Sequence, residues 1–118
     1  MYSIKIEADF SAAHNLRGYR GKCEELHGHN WKVEVVAARE ELDKLGMVLD
    51  FQYAKSKLRR VIEKLDHKYL NNIPYFKKVN PTSENIARYI FDALQKGFPV
   101  QSVTVWESEN SCATYGQA

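Results

Sequence analysis

The stretch YSIKIEADFS, Tyr2–Ser11, alternates apolar and polar residues without a break. Tyr2, Ile4, Ile6, Ala8 and Phe10 share one face; Ser3, Lys5, Glu7, Asp9 and Ser11 share the other. A period of two over this length specifies a half-buried β-strand. The strand runs into AAHNLRGYRGK, whose two glycines and basic side chains read as a loop. Residues 28–38 repeat the alternation, with Trp31, Val33 and Val35 on one face and Lys32 and Glu34 on the other. The two segments predict a long hairpin closed by that loop.

The period then changes. In LDFQYAKSKLRRVIEKL, Phe51, Ala54, Leu58, Ile62 and Leu65 recur at helical spacing, and Asp50 is placed as an N-cap. The next segment, LDHKYLNNIPYFKKVNP, reads as a long loop. A second helix is predicted to start near Thr82 or Ser83, just after Pro81. It turns Ile86, Ile90, Ala93 and Leu94 inward and stops at Gly97, with Pro99 beyond. VQSVTVWE, residues 100–107, is a third strand and CATYG, residues 112–116, a short fourth, joined by a turn at SENS. Trp106 is expected in the core. The order ββααββ implies an α+β domain over residues 1–118, with a four-stranded antiparallel sheet covered on one face by two helices. The other face and the edges of such a sheet need cover, which self-assembly supplies most simply.

With 118 residues, 44% of them hydrophobic and 27% charged, the composition is that of an ordinary globular domain. A net charge of +2, with the basic residues dispersed, does not argue for nucleic acid as a partner. There is no apolar segment at the N-terminus of signal type and none long enough to span a bilayer, so the chain is read as cytoplasmic. Cys23 and Cys112 form no CxxC pair and are expected as free thiols.

The chemistry gathers at CEELHGHNW, Cys23–Trp31. His27 and His29 are two apart at the start of a strand, so both side chains leave on one face. His14 stands near the end of the strand that pairs with it. Three neutral imidazoles converging from adjacent strands suit Zn2+, and three protein ligands leave a fourth position open, as catalytic zinc sites do. Gly28 keeps the space between them clear. Histidines also occur as satisfied core or surface residues, and spacing alone does not decide.

Cys23 lies four residues before His27 in a polar segment, where a thiolate can act as nucleophile or base. The plainer reading is an idle loop cysteine. Glu24 and Glu25 disfavour the thiolate, so a neighbouring positive charge has to offset them. Asp66–His67 comes directly after the first helix; His67 reads as a proton relay for a thiol, or as a histidine facing the helix dipole. Glu107 shares a face with Val103 and Val105. A carboxylate there needs a partner, for example a guanine-like ring offering two parallel N–H groups, unless the strand has already reached solvent. Thr82, Ser83 and Glu84 read as a helix cap, or as the wall of a pocket where free N–H groups hold a polar ring or an anion.

FSAAH, C-x3-HGH, LDHKYLN, PTSEN and VWE in this order resemble the 6-pyruvoyltetrahydropterin synthase/6-carboxytetrahydropterin synthase family, over nearly the whole chain. The resemblance implies the tunnelling fold, in which subunits join their sheets into a barrel around a channel. It implies zinc on His14, His27 and His29, Cys23 as proton acceptor, His67 in a relay with Asp66 beside it, and Glu107 as anchor for the pterin, with Thr82, Ser83 and Glu84 shaping the pocket. Sites in such homo-oligomers lie between subunits, so Cys23 and Glu107 of one site can come from different chains. The implied substrate is 7,8-dihydroneopterin triphosphate. Three residues separate Cys23 from His27, which resembles the carboxy type, whose members release acetaldehyde and serve queuosine and other deazapurine pathways; the pyruvoyl enzymes of animals have a longer gap. A third branch carries Glu in place of the cysteine. Arg17, Arg20 and Lys22 are candidates for the triphosphate by charge, or solvated loop residues. A non-catalytic zinc- and pterin-binding protein, and a zinc hydrolase using Glu24 or Glu25 as base, are the other classes that the residues allow.

Overall fold

The hairpin predicted from the alternation is the longest feature of the fold. A computed structural model describes residues 1–18 and 25–117; Cys23, with Arg20, Lys22 and Glu24, lies outside the described residues. Strands β1 (Tyr2–His14) and β2 (His27–Arg39) pair antiparallel along their whole length, from Tyr2 opposite Arg39 to His14 opposite His27. Even positions of β1 and odd positions of β2 face the helices: Ile6, Phe10, Trp31, Val33, Val35 and Ala37 are all buried. Each strand outruns its predicted limits, and the added residues at the closed end, 12–14 and 27, include His14 and His27.

Helix α1 (Phe51–Glu63) starts where Asp50 predicts; the Asp50 carboxylate accepts from the Gln52 N–H at 3.0 Å. Its inward face is Ala54, Leu58, Val61 and Ile62, with Leu65 buried just beyond. Phe51 does not belong to that face: it is 52% exposed, because the first helical position precedes the turn that meets the sheet.

The predicted long loop over residues 65–81 is overturned. It holds a two-residue strand β3 (Lys68–Tyr69), a 3-10 turn at Leu70–Asn72 and a short helix α2 (Pro74–Lys78). Strand β3 runs parallel to β1 at Ala12–Ala13. Leu70 and Phe76 are fully buried and fasten this segment. Two anchors in so short a stretch set no periodicity that a sequence reading could register. The sheet is therefore mixed and five-stranded, in the order β3-β1-β2-β4-β5, and three α-helices accompany it rather than two.

Helix α3 (Ser83–Leu94) is capped by Thr82, whose Oγ1 accepts from the Asn85 N–H at 3.1 Å, a contact of about 1 kcal/mol. Ile86, Ala87, Ile90, Phe91 and Leu94 face the sheet, whereas Ala93, expected inward, is exposed. Gly97 comes next at φ 73°, the left-handed region that ends helices at low cost. Strands β4 (Val100–Ser108) and β5 (Ser111–Gly116) complete the sheet.

The face without helices is polar. Lys5 pairs with Glu34 at 3.7 Å and Lys32 with Glu7 at 3.5 Å. Water covers such a face adequately, so only the sheet edges call for a neighbour. Trp106, expected in the core, stands on this face opposite Lys32 and Cys112, half-buried and with its Nε1 unpartnered. Among the described residues no helix is long and apolar enough to cross a membrane.

Candidate functional site

Three side chains leave the closed end of the hairpin on the helix-facing side: His14 from β1, and His27 and His29 from β2. Register makes this inevitable. His14 lies directly opposite His27, and His29 is one same-face step further along. Their rings meet edge to face, with centroids 4.5 to 5.2 Å apart. Trp31, the next same-face residue of β2, forms the floor and touches the rings of His14 and His29. Its own N–H donates to the Ala12 carbonyl at 3.2 Å.

The hydrogen bonds fix the tautomers. His14 Nδ1 lies 2.7 Å from the Pro81 carbonyl, and His27 Nδ1 lies 2.7 Å from the Glu25 carbonyl. A carbonyl only accepts, so in the neutral rings both Nδ1 atoms carry the proton and both Nε2 atoms present a lone pair. Those two Nε2 atoms are 2.9 Å apart. Two lone pairs at that distance do not bond; they repel unless a cation lies between them. His29 Nε2 is buried and makes no hydrogen bond. Three Nε2 atoms directed at one region, with backbone carbonyls already holding two of the rings from behind, are a donor set that could hold a metal ion.

Glu107 adds a carboxylate. β4 pairs Trp106 with Lys32, so the next residue returns to the face of Val105 and reaches the histidines. Glu107 Oε1 lies 2.9 Å from His29 Nε2, without hydrogen-bond alignment, and 3.7 and 4.0 Å from the Nε2 atoms of His14 and His27. The four donor atoms all lie within 4.8 Å of one another and could hold a metal ion. The sequence reading placed Glu107 as a catalytic and pterin-anchoring residue; that it joins the histidines is a consequence of strand order, which alternation does not reveal.

Burial lowers the basicity of His14 and His29. For His14, 1% exposed, desolvation dominates, opposed by the Pro81 carbonyl. For His29, desolvation again comes first and the Glu107 charge opposes it. Both rings are thus neutral at pH 7, ready to donate lone pairs to a cation.

Asp66 and His67 sit together elsewhere. His67 adopts φ 58°, which turns its ring back so that Nδ1 lies 3.1 Å from Asp66 Oδ1. Adjacent residues rarely face each other, and this backbone conformation is the reason that these two do. The Ser11 N–H donates to Asp66 Oδ1 at 2.9 Å, and this bond, ahead of the nearby His67, holds the Asp66 carboxyl below its ordinary range. The pair borders a cavity of about 400 Å³ with Asp9, Ser11 and Asn30, residues of the polar face. Within one chain, therefore, Asp66–His67 sits at the β1 edge, bonded to the Ser11 backbone, and apart from the histidine–glutamate group.

Thr82 caps α3, Ser83 is buried and Glu84 is exposed beside it. They come directly after Pro81, whose carbonyl holds His14. Arg17, a triphosphate candidate by charge, is engaged in structure: its Nη2 donates to the carbonyls of Phe76 and Val79. Cys112 is exposed on β5. Trp31 and Pro81 were missed as parts of the site. Trp31 was findable, because it continues the face of His27 and His29; nothing in the sequence marks Pro81.

The family model described as 6-pyruvoyl tetrahydropterin synthase matches residues 3–118. The chain is 40% identical to a 6-carboxy-5,6,7,8-tetrahydropterin synthase of Synechocystis, over 98% of this chain and 93% of that protein. It is 43% identical to the human 6-pyruvoyl tetrahydrobiopterin synthase, over 95% of this chain and 89% of that one. The solved structure of the 6-pyruvoyl tetrahydropterin synthase of Caenorhabditis elegans superposes with a TM-score of 0.90 at 29% identity, covering 99% of this chain and 96% of that chain.

Proposed function

This chain belongs to the 6-pyruvoyl tetrahydropterin synthase family, and we propose that it is a zinc-dependent lyase converting 7,8-dihydroneopterin triphosphate to 6-carboxy-5,6,7,8-tetrahydropterin, acetaldehyde and triphosphate, as queuosine and other deazapurine pathways require. The observation that carries the reading is the convergence of three imidazole Nε2 atoms, two of them on rings whose tautomers are fixed by carbonyls. Nitrogen donors with one carboxylate near them favour zinc over magnesium or calcium, and zinc bound with an open position supplies a Lewis acid to hydroxyls of the substrate side chain.

The remaining roles belong to the chain. Cys23 accepts the proton. The short gap to His27 keeps it close to the donor set in sequence. His67, steered by Asp66, relays protons. The separation of that pair from the histidines within one chain favours a homo-oligomeric site completed by a second copy. Glu107 receives the paired N–H groups of the pterin, and Thr82, Ser83 and Glu84 form the pocket edge.

Similarity does not choose the product, since relatives of both names stand at comparable identity. The second reading is therefore a pyruvoyl synthase, which eliminates triphosphate without breaking a carbon–carbon bond. An alcohol dehydrogenase coupled to the reaction decides it. NADH consumption matching triphosphate release is the expected result; triphosphate release without acetaldehyde would establish the pyruvoyl product.

Glu107→Gln tests the anchor. The amide keeps one acceptor and presents an NH2 where the pterin also donates. Loss of a charge-assisted pair predicts pterin affinity lower by about 10- to 100-fold, on the scale of 1.5–3 kcal/mol. Zinc content should be unchanged. If calorimetry shows parent-like pterin binding while the metal is lost, Glu107 is a metal ligand instead.

A further inference from the structure

Two asparagine side chains hold the chain where it leaves β1. Asn71 Oδ1 accepts from the Asn15 N–H at 3.0 Å, and Asn71 Nδ2 donates to the Asn15 carbonyl at 2.9 Å. Asn80 does the same for Arg17, at 3.0 and 2.9 Å. In each case one amide side chain pairs with both backbone groups of a single residue, as a neighbouring strand would. The pairing continues a series that begins at Ser11, which Asp66 and His67 bracket in the same manner, and passes through the β1–β3 ladder.

Asn80 differs from Asn71 in its own backbone contacts. Its carbonyl accepts from the Thr82 N–H and from Asn85 Nδ2, both at 2.9 Å. The Asn80–Pro81 peptide is thus held at its start by the Asn80 side chain and at its end by the α3 cap. Proline has no N–H of its own and a fixed φ, so the turn has little freedom left. Its remaining polar group, the Pro81 carbonyl, is the one that bonds His14 Nδ1. Arg17 tightens the same unit from the other side by donating to the Phe76 and Val79 carbonyls.

We infer that Asn80 is a positioning residue of the metal centre: by clasping the Arg17 backbone it holds the Pro81 carbonyl where it fixes the tautomer and orientation of His14. The inference rests on the reading of the three histidines as metal ligands. Partners behind a metal-binding imidazole typically influence affinity by about 10- to 100-fold.

The test compares Asn80→Ala, Asn80→Asp and, as a remote control, Thr104→Ala, which removes a 2.7 Å hydroxyl pair between β4 and β5. Zinc affinity is read by chelator competition, and geometry by the visible spectrum of the Co2+-substituted protein. Asn80→Ala should bind zinc about 10- to 100-fold more weakly and shift the cobalt bands. Asn80→Asp, which still accepts from the Arg17 N–H, should recover part of the affinity. Thr104→Ala should bind zinc as the parent does even though it is less stable to heat. Turnover of Asn80→Ala should return towards the parent value in excess zinc. Parent-like affinity and spectrum in Asn80→Ala overturn the inference while leaving the centre in place. His14→Ala with parent-like cobalt binding would instead overturn the metal reading. Should Asn80→Ala not fold, Asn80→Asp carries the test alone, with parent-like affinity and spectrum counting against the inference.

Discussion

His29→Ala will lose its metal and its turnover while retaining the fold. The three imidazoles are not equivalent in what their removal does to the protein. His14 is 1% exposed, and its Nδ1 satisfies the Pro81 carbonyl, so His14→Ala leaves a cavity and an unpaired acceptor. His29 is a quarter exposed at its side chain, and its Nε2 has no hydrogen bond to lose. It is therefore the substitution that separates metal binding from folding. Elemental analysis should show zinc near one per chain in the parent and near zero in His29→Ala. Full occupancy in the variant would remove His29 from the donor set.

Stability gives a second reading of the same prediction. Metal that binds only the folded state stabilises it by mass action, about 2.7 kcal/mol at a hundredfold excess over Kd and about 4.1 kcal/mol at a thousandfold. The parent melting temperature should rise with added zinc, and that of His29→Ala should not. Acid acts in the same direction. Burial lowers the pKa of His14 and of His29 below 6.5, so both offer lone pairs at neutral pH. As pH falls from 6.5 through the folded values, protons compete for the nitrogens, and zinc-dependent stability is lost in that window.

The sequence carried the parts of the fold that repeat. Alternation over residues 2–11 and 28–38 set the hairpin, and the observed register of the longer strands brings His14 opposite His27. Helix limits were readable because Asp50 and Thr82 cap them. What escaped was non-repeating: a two-residue strand and a five-residue helix are too short for any period, although Leu70 and Phe76 are among the most buried side chains. Trp106 escaped for another reason. Alternation puts it on the face of Thr104, whereas the hydrophobicity of its ring points to the core. At the site, the convergence of the three histidines was legible because they share strand faces. The contacts of Pro81, Asn71 and Asn80 were not, since Pro81 acts through its carbonyl and the two asparagine amides bond the backbone of distant residues, and a backbone group has no sequence signature. The Asp66–His67 pairing depends on one backbone angle at His67, which no residue pattern announces.

The second large effect is expected at Cys23. Cys23→Ala should keep zinc and substrate binding and lose turnover by about 100- to 10,000-fold, the range over which a positioned base contributes. The proposed ligands are His14, His27 and His29, so on this reading the removal of the thiol leaves the metal set complete. The reactivity of Cys23 depends on charge. Glu24 and Glu25 on its C-terminal side oppose the thiolate, and a bound cation beside His27 is what can offset them. Metal removal should therefore slow alkylation of Cys23 in the parent, an effect separate from turnover. Cys112→Ala is the matched control: Cys112 is exposed on the edge strand β5, opposite Trp106 on the polar face, and its loss should leave kcat as in the parent. Both variants are compared at saturating zinc, with triphosphate release as the readout. If Cys23→Ala turns over as the parent does, the proton acceptor is another group, and Glu24→Gln becomes the variant that should then abolish the reaction.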